Sequence, residues 1–179
     1  MDRNADHRNI CVSNWIGFRI PMTKVLFLDI DGVVNSSLDF AHPPKGQKAP
    51  YIIVPDKVKL ITEVVDKTGS RIVLSSTWRN IPSAVDFIEV AFPDISSRYH
   101  PDWKTIRGQV DSPAHEWRAS RGHEIKEWLS RHPEVTRYAI VDDDAEDIRP
   151  IYPLNLVQTT WFKGIQPEHA KRLIGLLND

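Results

Sequence analysis

Acidic side chains follow two apolar segments of the sequence, at the point where each segment ends. Asp29 and Asp31 come after one such segment, and Asp142 and Asp143 come after another, with Asp147 one helical turn further on. Carboxylates that converge on one point repel each other unless a cation neutralises them. Oxygen-only ligands favour a hard ion such as Mg²⁺. The pattern therefore predicts a magnesium site.

The same groups can carry out phosphoryl chemistry. A carboxylate beside such an ion can attack phosphorus and form a covalent intermediate. A second carboxyl group two residues away, as Asp31 is from Asp29, can protonate the leaving oxygen and then activate water. A third apolar segment ends at Ser75 and Ser76, and the Ser75 hydroxyl can hold a phosphoryl oxygen. A cation opposite these groups would offset the negative charge of the transition state.

The elements that must position these residues alternate along the chain. Nearly continuous apolar runs predict buried strands over 24–30, 71–74 and 138–141, with a fourth over 154–159. Helices are predicted over 55–68, 83–90, 122–131 and 168–177, and irregular loops over 35–54 and 93–118. The alternation predicts an α/β fold, a Rossmann-like three-layer sandwich with a mostly parallel central sheet. In such sheets the active site lies outside the carboxyl ends of the strands, which is where the polar residues fall.

Length and composition bound the class of protein. The chain has 179 residues, of which 41% are hydrophobic and 26% charged, as in an ordinary globular protein. We expect one domain over residues 22–179 behind an N-terminal extension at 1–21. The extension is either flexible or packed on the domain as an added strand through Trp15, Ile16 and Phe18, and the sequence leaves both alternatives open.

Charge and cysteine content exclude several kinds of site and partner. The formal net charge of -1 argues against a non-specific nucleic-acid binder. The single cysteine, Cys11, excludes an intrachain disulfide and a zinc site built on several thiolates. No apolar run approaches the roughly 18 residues of a membrane helix, so no membrane partner is expected. These features predict a cytoplasmic protein.

Three segments share their order and context with a known family. FLDIDGVVN at 27–35, IVLSS at 72–76 and VDDDAED at 141–147 each contain the end of an apolar strand and the polar residues after it. They resemble the first, second and fourth motifs of the haloacid dehalogenase-like (HAD) phosphatase superfamily. Aspartate at position 31 is typical of the phosphatases of this superfamily, whereas the dehalogenases lack it. The resemblance thus implies a HAD-like fold and a phosphatase that uses Mg²⁺.

The resemblance also implies a role for each motif residue. Asp29 would be the nucleophile and a metal ligand, and Asp31 the general acid and base, with its backbone carbonyl also touching the metal. Ser75 would bind the transferred phosphoryl group. Asp143 would be the main acidic metal ligand of the fourth motif. Asp142 and Asp147 would support it.

The third motif of the superfamily is a lysine or arginine at the start of the helix before the third strand. Arg121 is the first candidate because it lies at the predicted helix start. Lys126 is the second candidate, and Arg118 is the third. Lys126 lies more than one turn into the helix, where a side chain facing solvent is the plainer interpretation.

Further residues near the motifs are weaker candidates for substrate binding. Ser76 and Arg79 follow the second motif closely, and a surface ion pair is the alternative role for Arg79. Bases could stack on Trp78, Trp103 and Trp117, although packing of the long loop explains these residues as well. The spacing of His100, His115 and His123 fits no compact metal motif, so we expect surface or loop positions for them.

The resemblance extends beyond the motifs to one subgroup. SSTWR at 75–79, RGHEIKEWL at 121–129 and VQTTWFKGI at 157–165 resemble the HAD domain of Swiss Army Knife RNA-repair proteins. The likeness covers about residues 23–177 and implies a role in nucleic-acid repair. The gaps between the motifs are too short for a large cap domain, so we expect an open site.

An open site suits a bulky phosphorylated substrate. The subgroup favours a nucleic-acid end, such as a 3′-phosphate, and the near-neutral charge permits this if the protein grips only the end. A nucleotide or another small phosphate monoester is an alternative substrate. A non-catalytic binding or scaffold domain on the same fold is an alternative function, although the intact Asp29 and Asp31 speak against it. Transfer to an acceptor other than water also stays open.

Overall fold

The computed structural model describes residues 23–92, 96–104 and 120–179. The predictions made for the N-terminal extension, for a domain start at Met22 and for Arg118, His115 and Trp117 lie outside these residues. None of the described helices is long and apolar enough to cross a membrane.

Four parallel strands form the central sheet. They are β1 (Thr23–Leu28), β2 (Arg71–Leu74), β3 (Val135–Asp142) and β4 (Leu156–Gln158), in the order β2-β1-β3-β4. The register pairs Leu28 of β1 with Leu74 on one side and Val141 on the other. Because these partners are the last apolar residues before the polar segments, the three strands present their polar ends at one edge of the sheet.

Helices flank the sheet on both faces. They are α1 (Ser37–Ala41), α2 (Pro55–Thr68), α3 (Pro82–Ala91), α4 (Arg121–Arg131) and α5 (Pro167–Asn178), and short 3-10 turns span Thr77–Asn80 and Ser96–Arg98. The predicted helices are therefore confirmed with small changes at their ends. The prediction that 35–54 is wholly irregular is wrong, because α1 lies within it. This helix has five residues, none of them buried, so it lacks the apolar periodicity that a sequence pattern needs.

Two apolar clusters, one on each face of the sheet, pack the helices against the sheet and so produce three layers. Alternate residues of β1 point to opposite faces, as in any strand. Leu26 and Leu28 pack with residues of α2, α3 and α5, whereas Val25 and Phe27 pack with residues of α4. On the second face the ring of Phe27 meets Trp128 of α4 edge to face, with centroids 5.3 Å apart. These layers confirm the predicted Rossmann-like α/β sandwich of the HAD type, and the described residues contain no large cap domain.

The segment 96–104 lies along the outer edge of β2. The His100 amide donates to Ile72 O at 2.9 Å, and the Leu74 amide donates to Trp103 O at 3.1 Å. The rings of Tyr99 and Trp103 stack with centroids 4.4 Å apart. The segment therefore covers an otherwise open sheet edge. It also shows that Trp103 packs within the fold, the alternative that the sequence left open beside base stacking.

We expect Gly122→Ala to destabilise the protein because α4 sits very close to the loop after β3. A Cβ at Gly122 would lie 2.5 Å from the backbone oxygen of Asp147 and 2.9 Å from Ile151 Cδ1. Backbone cannot move aside cheaply, so the free energy of unfolding should fall by about 1–3 kcal/mol in urea denaturation. Gly175→Ala in α5 is the control, because the nearest atom there is 3.9 Å away. That variant should be unchanged or up to about 1 kcal/mol more stable, and equal effects at the two glycines would contradict the packing described.

Candidate active site

Three carboxylates meet at the carboxyl edge of the sheet. Asp29, Asp142 and Asp143 each offer an oxygen within 4.8 Å of the others. Asp29 and Asp142 are almost fully buried, and Asp143 is partly exposed. The parallel pairing of β1 and β3 brings them together, since the Asp29 amide continues the ladder by donating to Val141 O at 3.1 Å. The predicted convergence of the first and fourth motifs is thus seen in the fold.

Gly32 provides the space for the third of these carboxylates. Its φ of 69° lies in the left-handed region, where a side chain is strained. A Cβ at this position would overlap the carboxyl group of Asp143. The carbonyl of Gly32 accepts a hydrogen bond from Thr159 Oγ1 at 2.6 Å, which fixes the turn. The glycine of the first motif is therefore required by the close approach of the fourth.

The buried carboxylates disfavour one another's charge. Burial raises the pKa of Asp29, and Arg121 and the Ser76 hydroxyl act in the opposite direction. Burial, followed by the charge of Asp29, raises the pKa of Asp142 to about 8 and that of Asp143 to about 6. A divalent cation would relieve this cost, and an all-oxygen donor set suits Mg²⁺. The side chains present therefore fit the metal that the sequence predicts.

Arg121 supplies the cation of the site. It is the first residue of α4, and its Nη1 donates to Asp29 Oδ1 at 3.0 Å and to Asp142 Oδ2 at 3.4 Å. Burial opposes its charge, but the carboxylates of Asp29 and Asp142 outweigh burial, so the pKa of Arg121 is raised. The predicted first choice for the third motif is therefore the residue that the fold places at the carboxylates. Lys126 is exposed, five residues further along α4.

The two oxygens of Asp142 already have partners in the chain. Oδ2 accepts from Arg121, and Oδ1 accepts from the Asp144 amide at 3.0 Å. Asp143 lacks such a tie to Arg121 and lies over Gly32, so it is the better placed metal ligand of the pair. Asp147 was predicted as a further ligand, but its side chain is exposed and is not one of the three clustered carboxylates. Its role as a supporting metal ligand stays a prediction.

Ser75 lies at the end of β2 with an unsatisfied hydroxyl. The residue is fully buried, and its amide donates to Leu28 O at 2.9 Å. Within the part of the chain that the structure describes, Ser75 Oγ has no hydrogen-bond partner. A buried hydroxyl without a partner costs free energy, so it points to a missing ligand oxygen. This is consistent with the predicted phosphoryl contact.

Asp31 is held by two residues that the sequence did not single out for this task. Trp78 Nε1 donates to Asp31 Oδ2 at 2.7 Å, and Asn35 Nδ2 donates to Asp31 Oδ1 at 2.9 Å. Asn35 also accepts from the Gly32 amide at 3.0 Å and donates to Ile52 O at 3.0 Å. Both carboxyl oxygens of Asp31 are thus oriented by side chains that are themselves buried. Of the two roles that the sequence leaves open for Trp78, base stacking and packing, its burial against Asp31 agrees with packing.

Arg79 occupies a different place from the substrate contact predicted for it. Its Nη1 donates to the carbonyls of Ser75 and Ser76 at 2.7 and 2.8 Å, and its Nη2 pairs with Glu124 of α4 at 2.8 Å. The Arg79 side chain is only 2% exposed. The geometry therefore favours the ion-pair alternative, although the pair is buried and not at the surface. Arg79 joins the second motif to the helix that carries Arg121.

A second group of potential metal ligands lies away from the carboxylates. His100, His132 and Glu134 come within 4.8 Å of one another. His132 is 2.8 Å from Glu134 and 2.9 Å from Asp102 through its two ring nitrogens, and His100 Nδ1 accepts from the Asp102 amide at 3.1 Å. Because Nδ1 of His100 accepts that hydrogen bond, the proton of the neutral ring lies on Nε2. Nε2 is the remaining nitrogen through which His100 could bind a metal. The group is thus a satisfied hydrogen-bond network. His100 lies in a loop, one of the two positions expected for it, and it is buried there.

The fold and the site together define a HAD-type protein. A parallel sheet carries the Asp29 and Asp31 pair after β1, a serine after β2 and paired acids after β3, with a cation from the helix before β3. The chain matches the family described as the HAD domain in Swiss Army Knife RNA repair proteins over residues 25–170, and it belongs to that family. No curated protein and no solved structure matches the chain significantly. The predicted resemblance is therefore confirmed.

The raised pKa values predict that the metal-free protein loses stability as pH rises. A carboxyl group with a raised pKa in the folded state contributes stability below its unfolded pKa of 3.8 and loses it as pH passes the folded value, about 6 for Asp143 and about 8 for Asp142. In chelator, the free energy of unfolding should therefore decline between pH 5 and pH 8. Asp143→Asn should remove roughly 1–2 kcal/mol of that decline after allowance for solvent screening.

The control for this experiment is Asp86→Asn at an exposed position of α3. It should keep the decline of the parent protein. Added Mg²⁺ should restore stability at pH 8 in the parent and less so in Asp143→Asn. A parent profile that is flat or rising over this range in chelator would contradict the assignment of a strained carboxylate cluster.

Proposed function

We propose that the protein is a Mg²⁺-dependent phosphohydrolase that cleaves phosphate monoesters through an aspartyl-phosphate on Asp29. The observation that carries the proposal is the meeting of Asp29, Asp142 and Asp143 with the guanidinium of Arg121 at one edge of the sheet. Membership of the HAD family supports hydrolase chemistry in general terms. The intact Asp29 and Asp31 pair argues against a purely non-catalytic binding domain.

The metal would be held by Asp29 and Asp143, with Asp142 supporting them through Arg121. The backbone carbonyl of Asp31 is a further ligand by resemblance to the superfamily. When bound, Mg²⁺ would neutralise the carboxylates and the substrate phosphate, which otherwise repel each other. Asp147, which is exposed, is left out of this ligand set.

The proposed reaction takes place in two steps, in which Asp29 and Asp31 carry out the bond-making and proton transfers. In the first, a carboxylate oxygen of Asp29 attacks phosphorus, the bond from phosphorus to the leaving oxygen breaks, and the acid form of Asp31 gives that oxygen its proton. In the second, Asp31 takes a proton from water, and the water oxygen attacks phosphorus. The bond between phosphorus and Asp29 breaks, and inorganic phosphate leaves.

Two further groups stabilise the transferring phosphoryl group. The Ser75 hydroxyl, which lacks a partner among the described residues, would donate to one phosphoryl oxygen. Arg121 would offset part of the negative charge that develops beside Asp29. Ser76 follows Ser75 in the chain, and its side chain interacts with Asp29. Its direct contact with substrate remains a prediction, as does that of Lys126.

We further propose a nucleic-acid end, such as a 3′-phosphate, as the substrate, and the cytoplasm as the location. No large cap domain is present among the described residues, which leaves room for a polymer end. The family context of RNA repair favours this class over a nucleotide or a small metabolite phosphate. The near-neutral net charge supports contact with the end and not with a long stretch of backbone.

Asp29→Asn should abolish phosphate release, because the amide is a far weaker nucleophile and metal ligand. The assay compares the parent and the variant on an aryl phosphate, nucleoside monophosphates and oligonucleotides with 3′- or 5′-phosphates, with and without Mg²⁺. We expect a loss of at least about 1,000-fold in kcat. Trapping with beryllium fluoride, an analogue of the phospho-aspartate, should succeed only in the parent with Mg²⁺. Turnover by Asp29→Asn near the parent rate would refute the mechanism.

Trp78→Phe should impair the protonation step while leaving the site assembled. Phenylalanine keeps a ring against Tyr51, whose centroid lies 5.2 Å from that of Trp78, but it removes the N–H that orients Asp31. We expect kcat to fall about 10-fold on an alkyl phosphate, whose poor leaving group needs the proton, and less on an aryl phosphate. The Mg²⁺ concentration for half-maximal activity should not change.

The matched control is Trp128→Phe. Trp128 is also buried, and its indole also donates one hydrogen bond, to Asp102 O at 3.0 Å, but on the α4 face of the sheet. Its loss should lower stability without favouring one leaving group over the other. If both variants, or both leaving groups, respond equally, Trp78 has no special role in orienting Asp31.

A further inference from the structure

Exposed apolar side chains gather in two neighbouring segments of the fold. Among the described residues, Leu38, Trp161 and Phe162 are 45%, 46% and 56% exposed. The Ser37 amide donates to Trp161 O at 2.9 Å, and the ring of Phe40 lies against that of Trp161 with centroids 5.6 Å apart. We call these four residues, Leu38, Phe40, Trp161 and Phe162, the aromatic ledge. Exposed apolar residues grouped around a ring contact in this way call for an explanation that single exposed apolar residues do not need.

The aromatic ledge borders the candidate active site. Thr159 follows β4, and its amide donates to Asp142 O at 3.0 Å while its hydroxyl donates to Gly32 O at 2.6 Å. Trp161 is two residues further on, so no more than about 7 Å of chain separates it from that anchor. The backbone of Trp161 therefore lies near the segments that carry the first and fourth motifs.

Backbone contacts hold the ledge in place. The amides of Lys163 and Gly164 donate to Thr160 O at 3.1 and 2.8 Å, and the Ile165 amide donates to Val33 O at 2.9 Å. Gly164 has a φ of 68°, and a Cβ there would lie 2.7 Å from Val33 O. The turn is thus pressed against the loop that carries the first motif. An aromatic surface fixed in this way binds a flat partner without a large ordering cost.

Charge near the ledge is modest. Lys163 is exposed in the same turn, whereas Lys57, on the other side of the turn, pairs with Asp39. One cation beside two exposed rings suits a single nucleotide, with a base to stack and one phosphate to neutralise. A long polynucleotide contact would need many more cations than the net charge of -1 suggests.

We propose that the aromatic ledge stacks the terminal base of a single-stranded nucleic acid whose end phosphate occupies the active site. This inference rests on the proposed function and specifies how its substrate is recognised. The stacking residue is Trp161, supported from behind by Phe40. Phe162 extends the surface towards the next nucleotide.

The test compares two substrates and three variants of the full chain. The substrates are a 3′-phosphorylated oligonucleotide and the same strand with an abasic terminal nucleotide. Trp161→Ala should lower kcat/KM on the base-bearing strand about 10- to 100-fold, the range that loss of one base stack gives. The loss on the abasic strand should be much smaller. Trp161→Phe should recover most of the parent value, because it keeps an aromatic face.

Leu154→Ala is the control. Leu154 is the most exposed large hydrophobic residue described. It precedes β4 and so lies at the amino ends of the strands, opposite the site, and its loss should leave the turnover of both substrates unchanged. Equal losses on the two strands with Trp161→Ala, or no loss, would overturn the ledge proposal. A phosphopeptide turned over faster than the oligonucleotide, and sensitive to Trp161→Ala, would also overturn it in favour of a protein substrate.

A binding measurement separates failure of the ledge from failure of the proposed function. Fluorescence anisotropy with both labelled strands is repeated on Asp29→Asn, which cannot turn over. If no phosphate is released by the parent but base-dependent binding disappears with Trp161→Ala, the ledge is supported and the phosphatase proposal fails. If phosphate is released but binding is independent of the base and of Trp161, the phosphatase stands and the ledge fails.

Discussion

The repulsion among three clustered carboxylates, two of them buried, is the constraint on which the rest of the site depends. Parallel pairing of β1 with β3 forces Asp29 beside Asp142 and Asp143, and burial makes their charges costly. Arg121 offsets part of this cost without the metal, since it reaches two of the three. A divalent ion would offset the rest. Such an ion binds the charged form of the carboxylates and relieves their mutual repulsion. The free energy of repulsion that it removes therefore favours its binding.

A second group of charged residues, Arg79 and Glu124, holds the carboxylate and arginine cluster in position. Glu124, one turn into α4, accepts from Arg79 at 2.8 Å and lies 3.9 Å from Arg121 Nε. Arg79 in turn donates to the carbonyls of Ser75 and Ser76. The cation of the site, the helix that carries it and the end of β2 are therefore tied through one buried pair. Breaking such a pair leaves an uncompensated buried charge, so we expect loss of Arg79 to disturb the placement of both Ser75 and Arg121.

Whether the sequence could predict a contact depends on how far apart its two residues lie along the chain, and on whether a general rule of the fold brings them together. Asp29, Ser75 and Asp142 each follow an apolar run, and parallel strands bring such ends together by a general rule, so their meeting was predictable. Arg121 was predictable because it begins a helix. The hold of Trp78 on Asp31 spans 47 positions and leaves no periodic signal, so it was not predictable.

Two further features have the same origin. Asp147 belongs to the acidic run after β3, but it is exposed and is not one of the three clustered carboxylates, so its role as a metal ligand stays a prediction. His100 lies in a loop, as expected, but the sequence does not indicate that it is buried. Two amide hydrogen bonds to β2, from His100 and back to Trp103, draw that loop into the sheet and bury the ring. Local composition predicted a loop correctly but could not predict what the loop covers.

The electrostatics of the chain limit how it can recognise a phosphorylated partner. A phosphate that reached the site would approach an acidic cluster, and the net charge of -1 offers it no overall attraction. Under the proposed mechanism, attraction would come from short-range groups that act only on a correctly placed end: a metal ion held by the carboxylates, Arg121 and the Ser75 hydroxyl. These contacts would recognise the phosphate and would not depend on the molecule that carries it. Discrimination among carriers would therefore fall to surfaces outside the carboxylate cluster, and Trp161 and Phe162 form one exposed apolar surface beside the motif loops in the described part of the chain.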